Sequence, residues 1–190
     1  MDDTIGDGPY CTYETFGVRF FEHAVTPERI REAMSGMVGG EIDFGPKAAG
    51  PGRMVRIAAQ GRIGDPTVTR RPGNAVAFRV LVPVDLHLSV RVAAQNHRFR
   101  ADLRAALSLT ARAAEPLKVI IDVAPPTAED IEVAVKAHGL RASVLRAAAD
   151  VDGELRRFVA RYIGREIEKP HIRKVREIDV ASRIGKAWSG

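Results

Sequence analysis

Val76-Ala77-Phe78-Arg79-Val80-Leu81-Val82-Pro83-Val84-Asp85-Leu86-His87-Leu88-Ser89-Val90-Arg91-Val92 is the stretch that decides the fold. Every even position from 76 to 92 is apolar, and the odd positions include Arg79, Asp85, His87, Ser89 and Arg91. Successive side chains of a strand point to opposite faces, so this spacing predicts a strand with one dry and one wet face. Residues 75–92, extended at about 3.3 Å each, reach roughly 60 Å, against about 17–20 Å for a common strand. Strands of that length twist, and the sheet they build coils into a trough whose inner face needs an apolar filling. Pro83 removes one ladder donor and belongs on an edge or at a kink. The alternation keeps its phase across Pro83, which predicts a bend and not a break.

Downstream, Gln95-Asn96 reads as the turn, and a return strand carries Phe99, Leu103, Leu107 and Leu109 on odd positions. Arg98, Arg100, Asp102 and Arg104 stand between them. Leu117, Val119, Ile121 and Val123 follow Glu115-Pro116, and Ile131, Val133 and Val135 follow Pro125-Pro126, extending a meander of hairpins. Over 140–167 the period changes: Val144, Ala148, Val151, Leu155, Phe158, Val159, Tyr162, Ile163 and Ile167 follow helical spacing. A helix of that length spans roughly 40 Å and can lie along the trough. Asp152-Gly153 is a candidate kink, Pro170 ends the helix, and a short segment runs on to Trp188.

Upstream, Val55, Ile57, Ala59 and Ile63 alternate with polar or small residues, and Gly64-Asp65-Pro66 reads as a turn before a short segment at Val68. Gly45-Pro46 and Gly50-Pro51-Gly52 punctuate what precedes it. Thr26-Pro27-Glu28 is a helix start, with Thr26 as cap, Pro27 at the first position and Glu28 at the positive end of the dipole. Ile30, Met34, Met37 and Val38 continue it to Gly39-Gly40. Phe16, Val18, Phe20 and Phe21 make 13–25 a candidate strand, and 1–12 a flexible N-terminal arm ahead of one domain over 13–190. The expected fold is therefore α+β: a long, coiled antiparallel β-meander packed on a long C-terminal helix, with one short N-terminal helix.

The chain has 190 residues, 45% hydrophobic and 28% charged, which suits one globular domain with its own core. No run approaches the roughly 20 apolar residues of a membrane-spanning helix. Met1-Asp2-Asp3-Thr4 is acidic with no apolar run behind it, unlike a secretory signal, so a cytoplasmic location is expected. An excess of Arg over Lys reads as the mark of a high-GC, bacterial genome. There are no internal repeats and no linker that divides the chain.

Chemistry is sparse. His23, His87, His97, His138 and His171 form no metal-ligand spacing, and Cys11 is the one cysteine, so neither a metal nor another cofactor is expected. Asp85, His87 and Ser89 share the wet face at about 7 Å intervals, too far apart for successive hydrogen bonds. Gly36, Gly39 and Gly40 lack the Gly-Lys-Ser/Thr of a phosphate loop and read as a helix terminator. No residue is singled out as catalytic. The net charge is +5, and Arg156, Arg157, Arg161, Arg165, Lys169, Arg173, Lys174 and Arg176 form a basic cluster that suits an anionic membrane surface. Aromatics are only 6% of the chain, thin for base stacking, so nucleic acid is not the expected partner.

Helix, long amphipathic antiparallel strands and a further long helix is an order that resembles the tubular lipid-binding (TULIP) superfamily over about 26–184. That resemblance implies an elongated apolar groove for a lipid or other hydrophobic small molecule. The lining expected on this view is Val80, Val84, Leu86, Leu88, Leu103, Leu107, Val144, Leu155, Phe158 and Tyr162. A second resemblance, carried by Ala24-Val25-Thr26-Pro27-Glu28-Arg29-Ile30, is to the helix-grip proteins of START-like and polyketide-cyclase-like type. It implies an enzyme or binding protein for a hydrophobic substrate, and such an enzyme needs a polar group pointing inward.

Overall fold

A computed structural model describes residues 9–49, 55–92, 95–136 and 142–188, without the side chains of 47, 49, 55, 92, 136, 142–151 and 188. Strands β4 (Ala77–Val92) and β5 (Gln95–Ala114) are its spine, paired antiparallel from Ala77↔Thr110 to Val92↔Gln95. The period-two pattern sorts their faces. Phe78, Val80, Val84 and Leu88 on β4, with Ala101, Leu103 and Ala105 on β5, are buried. Arg79, Arg91, Arg98, Arg100 and Arg104 are exposed on the other face. Gln95 and Asn96, expected as the turn, are ladder positions opposite Val92 and Arg91, and residues 93–94 lie outside the described residues.

The remaining strands correct the expected run of hairpins. Strands β2 (Val55–Ile63) and β3 (Thr67–Arg71) both pair antiparallel with β4, over 84–92 and 77–81 respectively. They therefore run in the same direction, and Gly64-Asp65-Pro66 is a bulge between them that reverses nothing. In the same way β6 (Lys118–Ala124) and β7 (Ile131–Lys136) both pair with β5, over 108–114 and 100–105. Pro125-Pro126 and a 3₁₀ turn at Ala128–Asp130 offset the two strands. With edge strands β1 (Glu41–Ala49) and β8 (Glu177–Asp179), the sheet order is β1-β2-β4-β5-β6-β8, β3 flanking β4 and β7 flanking β5.

This arrangement explains Pro83, which sits on an interior strand. In an antiparallel strand a residue's N–H and C=O point the same way. The Pro83 carbonyl accepts from the Gly64 N–H at 2.8 Å, so the missing donor also faces the β2–β3 bulge, where no ladder needs it. Gly45-Pro46, read from sequence as loop, lies inside β1 at a register shift between Phe44 and Lys47. A proline is tolerated there because β1 is an edge strand. Bulges add local right-handed twist, and the sheet curls.

The helices also differ from expectation. Residues read as a strand over 13–25 form helix α1 (Tyr13–Ala24), because Thr12 Oγ1 accepts from the Thr15 N–H and Glu14 sits in the first turn. Two helices, not one, precede the sheet. Helix α2 (Pro27–Met34) starts as the sequence predicts, its Arg29 N–H donating to Thr26 Oγ1 at 3.3 Å. A 3₁₀ turn (Ser35–Met37) leads to Gly39, whose φ of 79° suits glycine.

Helix α3 (Ala142–Glu166) runs through Asp152-Gly153 without interruption. The segment expected as a helix over 140–167 is α3, and it is not the last element: α4 (Pro170–Val175), β8 and α5 (Val180–Trp188), of nine residues, follow it. Pro170 lacks an N–H, so it cannot continue α3, but it suits the first position of α4. The molecule is thus α+β, a curled antiparallel sheet with a few helices. None of the described helices is long and apolar enough to cross a membrane.

Candidate ligand-binding site

The dry face of the sheet is covered unevenly. Toward β1 and β7, α3 lays Leu155, Phe158 and Val159 into the core, and the Phe158 ring lies 4.0 Å from that of Phe44 on β1. Along β6 the cover comes from the short terminal elements. Helix α1 has no buried residue, although Phe16 and Phe20 stack at 6.4 Å and Phe20 meets Phe21 edge-on at 5.9 Å. At the other terminus, β8 pairs Ile178 with Val119, and α5 begins at once, Asp179 Oδ1 accepting from the Ser182 N–H at 2.8 Å. Its Val180 and Ile184, four residues apart, fall on one helical face.

Two spaces result. An open groove of about 690 Å³ lies between α1 and α5, with the β5–β6 turn as its floor. Phe16, Phe20, Phe21, Leu117, Val180 and Ile184 line it, and Glu115 and Lys118 are its charged residues. Leu117 holds a φ of 107°, a strained conformation for a bulky side chain, and is 64% exposed at the groove. A second cavity, of about 190 Å³, lies deeper, between α2, β5, β6 and α4. Ile30, Met34, Leu109, Ile121, Val123 and Ile172 are among its apolar walls, and its charged residues are Arg29 and Arg176.

The two spaces succeed one another along three chain segments at once. On β6, Val119 lines the groove, and Ile121 and Val123 line the cavity. These alternate residues share a face and span roughly 13 Å. At the N-terminal side Phe21 gives way to Ala24, Val25 and Ile30; at the C-terminal side Ile184 and Val180 give way to Ile178 and Val175. The two linings share no residue but lie next to one another in these three segments, and the apolar surface they make up is the seam.

Most of the residues expected to line a ligand site lie elsewhere. Val80, Val84, Leu86, Leu88, Leu103, Leu155 and Phe158 are in the buried core, and Tyr162 packs partly buried against it. The Val144 side chain is outside the described residues. Leu107 does line the cavity. Sequence reasoning missed the α1 phenylalanines, because they were assigned to a strand, and the C-terminal pair Val180 and Ile184, whose four-residue spacing was a usable signal.

The basic cluster is largely neutralised. Arg156 pairs with Asp152 at 2.8 Å, Arg157 with Glu154 at 2.6 Å and Lys169 with Glu166 at 2.7 Å. Arg173 and Arg176 share Glu168 at 3.4 and 3.8 Å. Arg161, Arg165 and Lys174 have no ion pair among the described residues. Lys118 hydrogen-bonds Glu177, which holds its ammonium above the ordinary lysine range. Among the described residues no polar or charged residue is buried, and no group of His, Cys, Asp and Glu is placed to hold a metal ion. Cys11 is exposed.

Compared with known proteins, the chain matches no family model, and no curated protein or solved structure resembles it significantly.

Proposed function

We propose that this chain binds a lipid or another elongated hydrophobic molecule in the seam along β6. The observation that carries the reading is adjacency: the apolar linings of the groove of about 690 Å³ and of the cavity of about 190 Å³ follow one another on β6, from Val119 to Ile121, with no charged residue between them. Ligand pockets are typically concave and mostly apolar, about 300–1,000 Å³ in volume, with a few placed polar groups. On this reading α3 fills the part of the trough toward β1 and β7, and the ligand fills the part it leaves. The helix-grip enzyme reading requires an inward polar group, and no observation favours it.

The test is calorimetric titration of delipidated protein with decanol, a neutral acyl-chain probe. Saturable binding is expected, with a melting temperature that rises with ligand concentration. Ala24, the cavity-lining residue that follows the groove's Phe21 on α1, is the place to block: Ala24→Phe is expected to abolish binding while the protein stays folded. No saturable heat and no thermal shift in the wild-type protein contradicts the reading.

A further inference from the structure

We infer that the seam takes an anionic amphiphile, a carboxylate with a medium-length acyl chain, and that Arg176 is the anchor for its headgroup. This rests on the seam being a ligand site. The seam meets three cationic side chains, and two of them are already committed. Arg29 Nη1 donates to the carbonyls of His23 and Ala24 at 3.1 and 3.0 Å, closing the C-terminal end of α1. Lys118 is hydrogen-bonded to Glu177.

Arg176 is different. It follows α4 directly, and its side chain is 16% exposed. Its Nε is fully covered and has no hydrogen-bond partner among the described residues. Its ion pair with Glu168 is 3.8 Å, beyond hydrogen-bonding range, and Glu168 is shared with Arg173 at 3.4 Å. Arg176 also borders a polar hollow of about 360 Å³ with Asp122, Glu168, Arg173 and Glu177. Asp122 and Glu177 are paired with Arg112 and Lys118, so two guanidinium groups are left against the Glu168 carboxylate, one positive charge in excess.

A covered donor without a partner is costly, and such groups are rare in native proteins. A ligand carboxylate answers both deficits. It neutralises the excess charge, and it can accept two parallel N–H bonds from the planar guanidinium fork. Val175 and Ile178, which flank Arg176 in sequence, line the same cavity, so a chain anchored here continues onto apolar surface.

The experiment compares decanoate with decanol, at a pH where decanoate is ionised, on wild-type, Arg176→Gln and Arg176→Lys protein. Charge-assisted hydrogen bonds predict that wild-type protein prefers decanoate by about tenfold or more. Arg176→Gln is expected to bring the two ligands near parity, its fold checked separately by a circular-dichroism spectrum and cooperative melt like those of wild type. Arg176→Lys keeps the charge and loses the fork, so it is expected to fall between. Equal affinity of wild-type protein for both ligands overturns the Arg176 inference and leaves the seam intact. A preference that persists in Arg176→Gln overturns it as well. Failure of both ligands to bind wild-type protein overturns the ligand site itself.

Discussion

Phe158 and Phe16 are both phenylalanines on helices that face the same sheet, yet one is 9% exposed and the other 60%. Phe158 lies against Phe44 under α3, while Phe16 sits on the groove wall of α1, a helix with no buried residue. The regions around them use the same residue types and differ in cover. Hydrophobic composition alone therefore does not separate core from site. What separates them is whether another part of the chain closes over the apolar face.

The largest expected effect breaks the comparison at its two phenylalanines. Phe158→Ala is expected to cost about 3–5 kcal/mol of stability, the range for emptying a packed core site, measured by urea denaturation. Phe16→Ala is expected to cost under about 0.5 kcal/mol and to weaken decanol binding instead. Comparable stability losses at both positions would erase the distinction.

Two glycines sharpen it at smaller scale. A Cβ on Gly61 of β2 would lie 2.4 Å from Leu86 Cδ2 and 2.9 Å from the Asp85 carbonyl oxygen, so Gly61→Ala is expected to cost about 1–3 kcal/mol. A Cβ on Gly17 of α1 meets nothing within 4 Å. Gly17→Ala is expected to stabilise the protein by about 0.5–1 kcal/mol through helix propensity, read as a higher denaturation midpoint.

A further small effect lies at the junction of β6 and β7. Asp130 accepts from the Thr127 N–H at 2.8 Å and the Thr127 hydroxyl at 2.9 Å, and these bonds hold its carboxyl below the ordinary aspartate range. A lowered folded-state pKa gives stability that is present above the unfolded aspartate pKa and is lost as pH falls through the lowered value. Because Asp130 is largely solvated, the contribution is expected to be under about 1 kcal/mol. Asp130→Asn should therefore flatten the acid side of the stability–pH profile slightly, an effect to be followed by thermal melts from neutral to acidic pH.

The spine of the fold was legible because β4 and β5 hold an unbroken period of two, which a helix cannot share. Other elements were ambiguous for physical reasons. Phe16, Val18 and Phe20 alternate as a strand would, and only the Thr12 cap with Glu14 settles α1 as a helix. Gly45-Pro46 reads as loop because a bulge on an edge strand uses the same residues as a turn. Pro66 and Pro126 invite a reversal, yet both sit at offsets between collinear strands and are buried. The site was the least legible part. Its walls come from segments near both ends of the chain and from β6, and no local spacing brings Phe21, Ile121 and Ile178 together. Leu107, which shares the dry face of β5 with the core, is the one expected residue that lines the cavity.

The central claim, that β6 borders a ligand site while the remainder of the dry face is packed core, is tested most directly by methyl NMR. Isoleucine-methyl-labelled protein would be titrated with decanol. The account predicts saturable shifts at Ile121, Ile172, Ile178 and Ile184, which line the seam, and none at Ile57 and Ile131, which are 2% and 0% exposed in the core. Shifts centred on Ile57 and Ile131 with the seam isoleucines unmoved would contradict it.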